Sequence, residues 1–456
     1  MKKIIAFQIR IILFIFCVLV LTLPYGNSSV SPEKTSNKAV AVKILDQTFA
    51  QQVSGENADK GHVFIILETE WENIHPKQKV EKDKIEGKTD RTMGVGALGG
   101  RKQTKKTEYV QVDVAYMVKK LFDHAYLLAD GLAYPLHKLT PTIPGGIALG
   151  DPLAISKMGE KRKVSFLYSV PESAKNLGFH FLDYEYGHVL LSIKGDLGRA
   201  KGTGKPPGKV LDLIQTDVVE IAVHSIDFQT SYDDEEPPEG WEYAVVQLSG
   251  KSLSGRTVKD IVQIEPTEYT WATMEGGYFS YAIGGSITEE GMVRFTPEIF
   301  QNQHLAFLVP KSEQISQLGI RLGNDVFQLN LTGIKPKGPP QPNAKHQDGD
   351  VMEILLFDVQ EEDDRVILDL GIQSLTTSGI EIQRDAQFML VVNDAKITAD
   401  DSLTDELYHR PPTPFTIPPN TFVRFKLAFD TTDSPTSLYY RGYSSEHYFG
   451  FSEKRF

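Results

Sequence analysis

The chain has 456 residues, enough for about three cores of ordinary size at roughly 150 residues each. Hydrophobic residues make up 41% and charged residues 24%, which fits a globular protein and excludes a fibrous or disordered one. The net charge of −12 argues against nucleic acid and anionic membrane surfaces as partners, because both need a basic face.

The first predicted element is an export signal. Lys2, Lys3 and Arg10 precede an apolar run at 11–23 (IILFIFCVLVLTL), and Pro24, Gly26, Ser28 and Ser29 follow it. The run is 13 residues long, short of the roughly 20 that span a bilayer. This three-part pattern is that of a secretory signal peptide over residues 1–28, and it places the mature chain in the periplasm or outside the cell. Left uncleaved, the segment would be the one point of membrane contact. Cleavage removes three cations and takes the net charge from −12 to −15. The single cysteine, Cys17, lies inside the run after Phe16, where a lipoprotein signal needs a small residue. The mature chain is therefore expected to have no disulfide, no catalytic thiol and no cysteine-based metal site.

Beyond the signal, three stretches open alike: 40–49 (VAVKILDQTF), 219–228 (VEIAVHSIDF) and 351–359 (VMEILLFDV). Each is followed by a polar, acidic loop and then by a second strand: 62–70 (HVFIILETE), 241–248 (WEYAVVQL) and 365–372 (RVILDLGI). Apolar and polar residues alternate with period two, as in half-buried strands. A middle strand recurs at 125–131 (AYLLADG) and 387–394 (QFMLVVND), with a weaker counterpart at 270–276 (TWATMEG). The later halves also match. Residues 164–182 (VSFLYSVPESAKNLGFHFL) and 304–322 (HLAFLVPKSEQISQLGIRL) share a strand ending in Val-Pro and a Leu-Gly before the next strand; 422–440 keeps both strands without Val-Pro. Short strands with frequent turn signals predict an all-β chain of tandem antiparallel β-sandwiches.

The predicted boundaries are 38–195 for the first sandwich, 210–333 for the second and 350–456 for the third. Between them lie a Gly- and Lys-rich linker at 196–209 and a Pro-rich, stiffer linker at 334–349. One insertion, 77–108, is basic and nearly free of large apolar residues, and it reads as a long, mobile loop.

The pattern resembles the bacterial extracytoplasmic immunoglobulin-like domain family of unknown function, in three divergent tandem copies. The first copy carries the likeness best, with Asp130-Gly131 at the middle turn, Gly159-Glu160-Lys161 before the 164–170 strand, and Pro171 after it. The second keeps Phe307-Leu308-Val309-Pro310; the third has Pro419-Asn420 at the turn and lacks Val-Pro. The resemblance implies immunoglobulin-like sandwiches and export, and it supplies no catalytic residue.

Chemical motifs are weak. Gly94-Val95-Gly96-Ala97-Leu98-Gly99 is a literal G-x-G-x-x-G, but no strand precedes it and no helix follows, as a dinucleotide site requires. In Gly202-Thr203-Gly204-Lys205, Pro206 stands where a phosphate loop needs Ser or Thr. The acidic runs 233–236, 361–364 and 400–401 read as solvated turns, because adjacent carboxylates on one extended loop point apart and cannot enclose calcium. The 11 histidines are dispersed without metal spacing, and no Ser sits in a G-x-S-x-G elbow. The expectation is a non-catalytic protein with no cofactor and no metal. Its partner is another envelope or extracellular protein, with the 77–108 loop as the contact. Two other readings stay open. One is a carbohydrate-binding or carbohydrate-acting protein using Trp71, Trp241 or Trp271; the other is a calcium-stiffened, adhesin-like rod.

Overall fold

The computed structural model describes residues 34–84, 106–148, 150–286, 292–332, 339–362, 364–411, 414–442 and 446–451. The signal segment 1–28 with Cys17, the Gly94–Gly99 motif and residues 334–338 of the second linker lie outside the described residues. The described residues are mostly strand in largely antiparallel sheets, with a parallel pairing at Ala133↔Gln301, and helix among them is limited to turns of three to five residues. The chain divides into two compact units, 1–130 with 134–201 and 131–133 with 202–456.

In the first unit, Val40–Ala50, His62–Asn73 and Lys161–Pro171 pair in that order behind the short strand Lys34–Ser36; His62–Asn73 alternates buried and half-buried residues, and Val164 to Tyr168 of the last strand are buried on both faces. The second layer pairs Ala125–Ala129 with Leu177–Phe181, and Leu177–Phe181 with Val189–Lys194. Trp71 fills the space between the layers. It is fully buried and meets Phe166 of the first sheet and Phe179 and Phe181 of the second edge-on, with centroids 6.2, 6.3 and 4.8 Å away. Its Nε1 donates to Thr69 Oγ1 at 2.7 Å, so the ring's one polar atom is satisfied inside the core.

The second unit repeats this order twice. Asp212–Gln215, Val219–Gln229, Trp241–Ser252 and Gln301–Pro310 form one four-strand series; Ala344–Asp348, Met352–Glu361, Arg365–Ser374 and Phe422–Asp430 form the other. The opposing layers are built on Thr270–Met274, Ile315–Leu322 and Asp325–Asn330, and on Phe388–Val392, Ser437–Arg441 and Glu446–Gly450. A bulge falls at the same place in all three opening strands, between Ile44 and Asp46, Val223 and Ser225, and Leu356 and Asp358. An extra residue at a fixed point increases local twist and shows that the three copies share backbone design as well as strand order.

The linkers differ from expectation. The 196–209 stretch opens with a helix, Leu197–Lys201, whose Ala200 is fully buried. The 334–349 stretch ends in the strand Ala344–Asp348, paired with Met352–Glu361. Within the second unit the two sandwiches share apolar contacts: Trp271 and Phe279 belong to the same buried cluster as Ile380, Phe388, Phe415 and Phe425. Trp271 lies across Gly319 of the paired strand, where an added Cβ would come within 2.1 Å of the indole. Small-residue space at Gly319 is what lets the indole lie flat there.

A polar clamp joins the same two sandwiches. Arg424 holds Asp369 through two parallel bonds of 2.8 Å and donates to the Gly276 carbonyl at 3.0 Å. Its guanidinium lies 4.3 Å from the ring centroids of both Tyr278 and Phe357. The Tyr278 hydroxyl also donates to Asp369, and its ring stacks on His409 at 3.7 Å.

Candidate functional site

The insertion at 77–108 is not simply a loop. Gln78–Lys84 and Lys106–Val112 pair antiparallel in seven successive pairs, from Gln78↔Val112 to Lys84↔Lys106, and they form a sheet of their own. The local cause is alternation: Lys79-Val80-Glu81 faces Tyr109-Val110-Gln111, and β-branched residues favour the pleated state. Composition concealed this, because charged residues dominate both arms. Residues 85–105, including the Gly-rich stretch, lie outside the described residues.

The register puts Val80, Val110 and Val112 on one face of this hairpin. They are 46%, 39% and 39% exposed, and Tyr109 on the other face is 61% exposed. Tyr109 donates to Glu81 at 2.9 Å across the hairpin, and Lys77 lies 3.3 Å from Asp113 at its base. The sequence from 77 to 108 carries ten Lys and Arg against five Asp and Glu, a net +5 on a chain of net −12. An apolar stripe whose strand edges have no partner among the described residues is a surface that another chain can extend or cover.

The other sequence candidates resolve into structural roles. Asp233 and Asp234 take φ of 51° and 64° in a tight turn closed by Tyr232 and Glu235, each donating to the other at 3.0 Å. Asp400 caps the helix Asp401–Asp405 by accepting from Leu403 N at 2.9 Å. Asp401 and Asp405 both bind the buried Arg384, at 2.7 and 2.9 Å. Glu362 accepts from Arg365 at 2.7 Å, while Asp363 lies outside the described residues. Among the described residues no group of three or more His, Cys, Asp or Glu is placed to hold a metal ion. Trp71, Trp241 and Trp271 are all buried. Gly202 and Gly204 have φ of 76° and 77°, and the Gly204 carbonyl accepts from Lys251 at 2.7 Å.

Folding assembles a histidine pair, 346 with 447, that spacing did not reveal. His346 and His447, 101 residues apart, meet at 2.5 Å between Nε2 and Nδ1, and His447 Nε2 lies 3.3 Å from the buried Asp348. The row joins the outer strands Ala344–Asp348 and Glu446–Gly450 of facing sheets. Burial, then the neighbouring His447, holds His346 below its usual pKa.

Among the described residues, the buried His180 and His409 make stability depend on pH. Burial pushes His180 down to about 3, helped by His188 and Lys201. Burial with Lys426 and Arg424 pushes His409 down to about 4, although Glu313 Oε1 sits 3.4 Å from its Nε2. That carboxyl is itself held above the usual range by burial and Glu275. Both histidines are neutral in the fold and titrate near 6.5 when unfolded. Their contribution is complete above pH about 6.5 and is lost as pH falls toward 4 for His409 and 3 for His180. For His409 the full loss is about 3 kcal/mol at about 1.4 kcal/mol per pK unit. Urea midpoints at stepped pH should fall through this window, and His409→Gln should flatten the fall above pH 4.

No family model, no curated protein and no solved structure matches this chain.

Proposed function

We propose that the chain is an exported, non-catalytic binding protein of tandem immunoglobulin-like β-sandwiches. Its 78–112 hairpin engages another protein of the cell envelope. The observation that carries this reading is the hairpin itself: among the described residues, a two-stranded sheet with no further strand on either edge and with Val80, Val110 and Val112 exposed on one face. Strand addition to such an edge gives affinity through backbone bonds, and the side chains on the open face give selectivity. The basic balance of the insertion favours an acidic partner surface. Support for export comes from the tripartite segment at residues 1–28. A sugar-binding reading loses its platform, since all three tryptophans are buried.

The test replaces residues 78–112 with a short Gly-Ser linker in the otherwise full chain. The thermal transition should keep its cooperativity, and cross-linking in intact cells should lose a defined envelope protein. An unchanged set of cross-linked proteins would remove the hairpin as the contact.

A further inference from the structure

We infer that the free edge of the strand Asp325–Asn330 is a second docking site. It takes an extended segment of a partner polypeptide with a Lys or Arg opposite Asp325. The hydrogen-bond parity of this strand can be read directly. Leu331 N donates to Ser316 O at 3.0 Å, so residue 331, and by alternation 329, 327 and 325, face the neighbouring strand Ile315–Leu322. Asn330 N turns the other way, onto Asp212 Oδ2 at 2.7 Å. Residues 328 and 326 share that outward parity, and Asp325–Asn330 is the last strand on its side of the sheet. Among the described residues the edge is therefore capped at Asn330 by a side chain and has no strand partner at Val326 and Gln328.

These two residues line a groove of about 650 Å³, whose opposite wall is Pro419, Asn420 and Thr421. Exposed edges are normally guarded by Lys, Pro or a bulge. The strand reads Asp-Val-Phe-Gln-Leu-Asn, with none of these, and it pairs with Ile315–Leu322 without a register shift. The groove's one charged side chain is the exposed Asp325, so a cationic residue on the incoming strand is favoured over an anionic one.

The experiment selects phage-displayed random heptapeptides on the full chain. Enriched peptides should carry Lys or Arg among alternating β-branched residues. A synthetic copy of the most enriched one should bind about tenfold more weakly to Val326→Pro, which deletes one outward N–H and leaves the inward ladder in place. Asp325→Lys should also weaken it. Binding should persist in the chain that lacks the 78–112 hairpin, which separates this site from the proposed function. An N-methylated peptide blocks the same pairing in the unaltered protein and guards against misfolding of the proline variant. The inference is overturned if no peptide is enriched, if Val326→Pro binds as tightly as the parent, or if N-methylation has no effect.

Discussion

Asp369→Ala should destabilise the second unit by about 3–5 kcal/mol, because it leaves the Arg424 guanidinium charged, buried and without its carboxylate. Asp369 is 5% exposed and Arg424 8%, so water does not replace the lost partner. The same substitution removes the acceptor of the Tyr278 hydroxyl, and with it one of the polar links between the two sandwiches of that unit, leaving the bond from Arg424 to the Gly276 carbonyl. Removing both charges is a different experiment. Asp369→Leu with Arg424→Met keeps apolar volume between Tyr278 and Phe357 and should recover most of the loss. Urea unfolding of the single and double variants measures the coupling. A single-variant loss below about 1 kcal/mol would mean that the pair is solvated and contributes as an exposed pair does.

Trp71→Ala should cost about 3–5 kcal/mol, the range for deleting a large aromatic side chain from a packed core. Trp71 is fully buried against three phenylalanines from two sheets, so neither layer can close the cavity without shifting its partner. The change also leaves Thr69 Oγ1 without its indole donor, although that hydroxyl still donates to the Val164 carbonyl at 2.7 Å. Trp71→Phe should fall between the two. The midpoint should move with the m-value unchanged if the effect is on the native core. A tryptophan serving as a sugar platform would behave in the opposite way, losing ligand with little change in stability.

The hairpin at 78–112 shows how composition can hide a regular element. Its arms alternate correctly, but Lys, Glu and Asp fill most positions that face water on a two-stranded ribbon, so the apolar signal shrinks to Val80, Tyr109, Val110 and Val112. Repeats were easier to read. The strand His62–Asn73 has one buried face and alternates at period two as the pleat requires, whereas Arg365–Ser374 is buried on both faces and reads as a nearly continuous apolar run. The His346–His447 pair, the Arg424–Asp369 clamp and the outward parity of Val326 and Gln328 had no local signature.

The sequence by itself determined what depends on neighbours along the chain: the antiparallel strands, the three matched copies, and the turns at Asp130 and at Asp233-Asp234. The tertiary structure decided which residues distant in sequence meet. It drew Trp271 and Phe279 into a cluster with the third copy, a contact on which linker composition is silent. It also turned the acidic runs into caps and ion-pair partners. The physical reason is that backbone pattern is set by steric and hydrogen-bond rules a few residues long. Contacts across 50 to 150 residues form where packing buries the most apolar surface and satisfies the polar groups trapped with it.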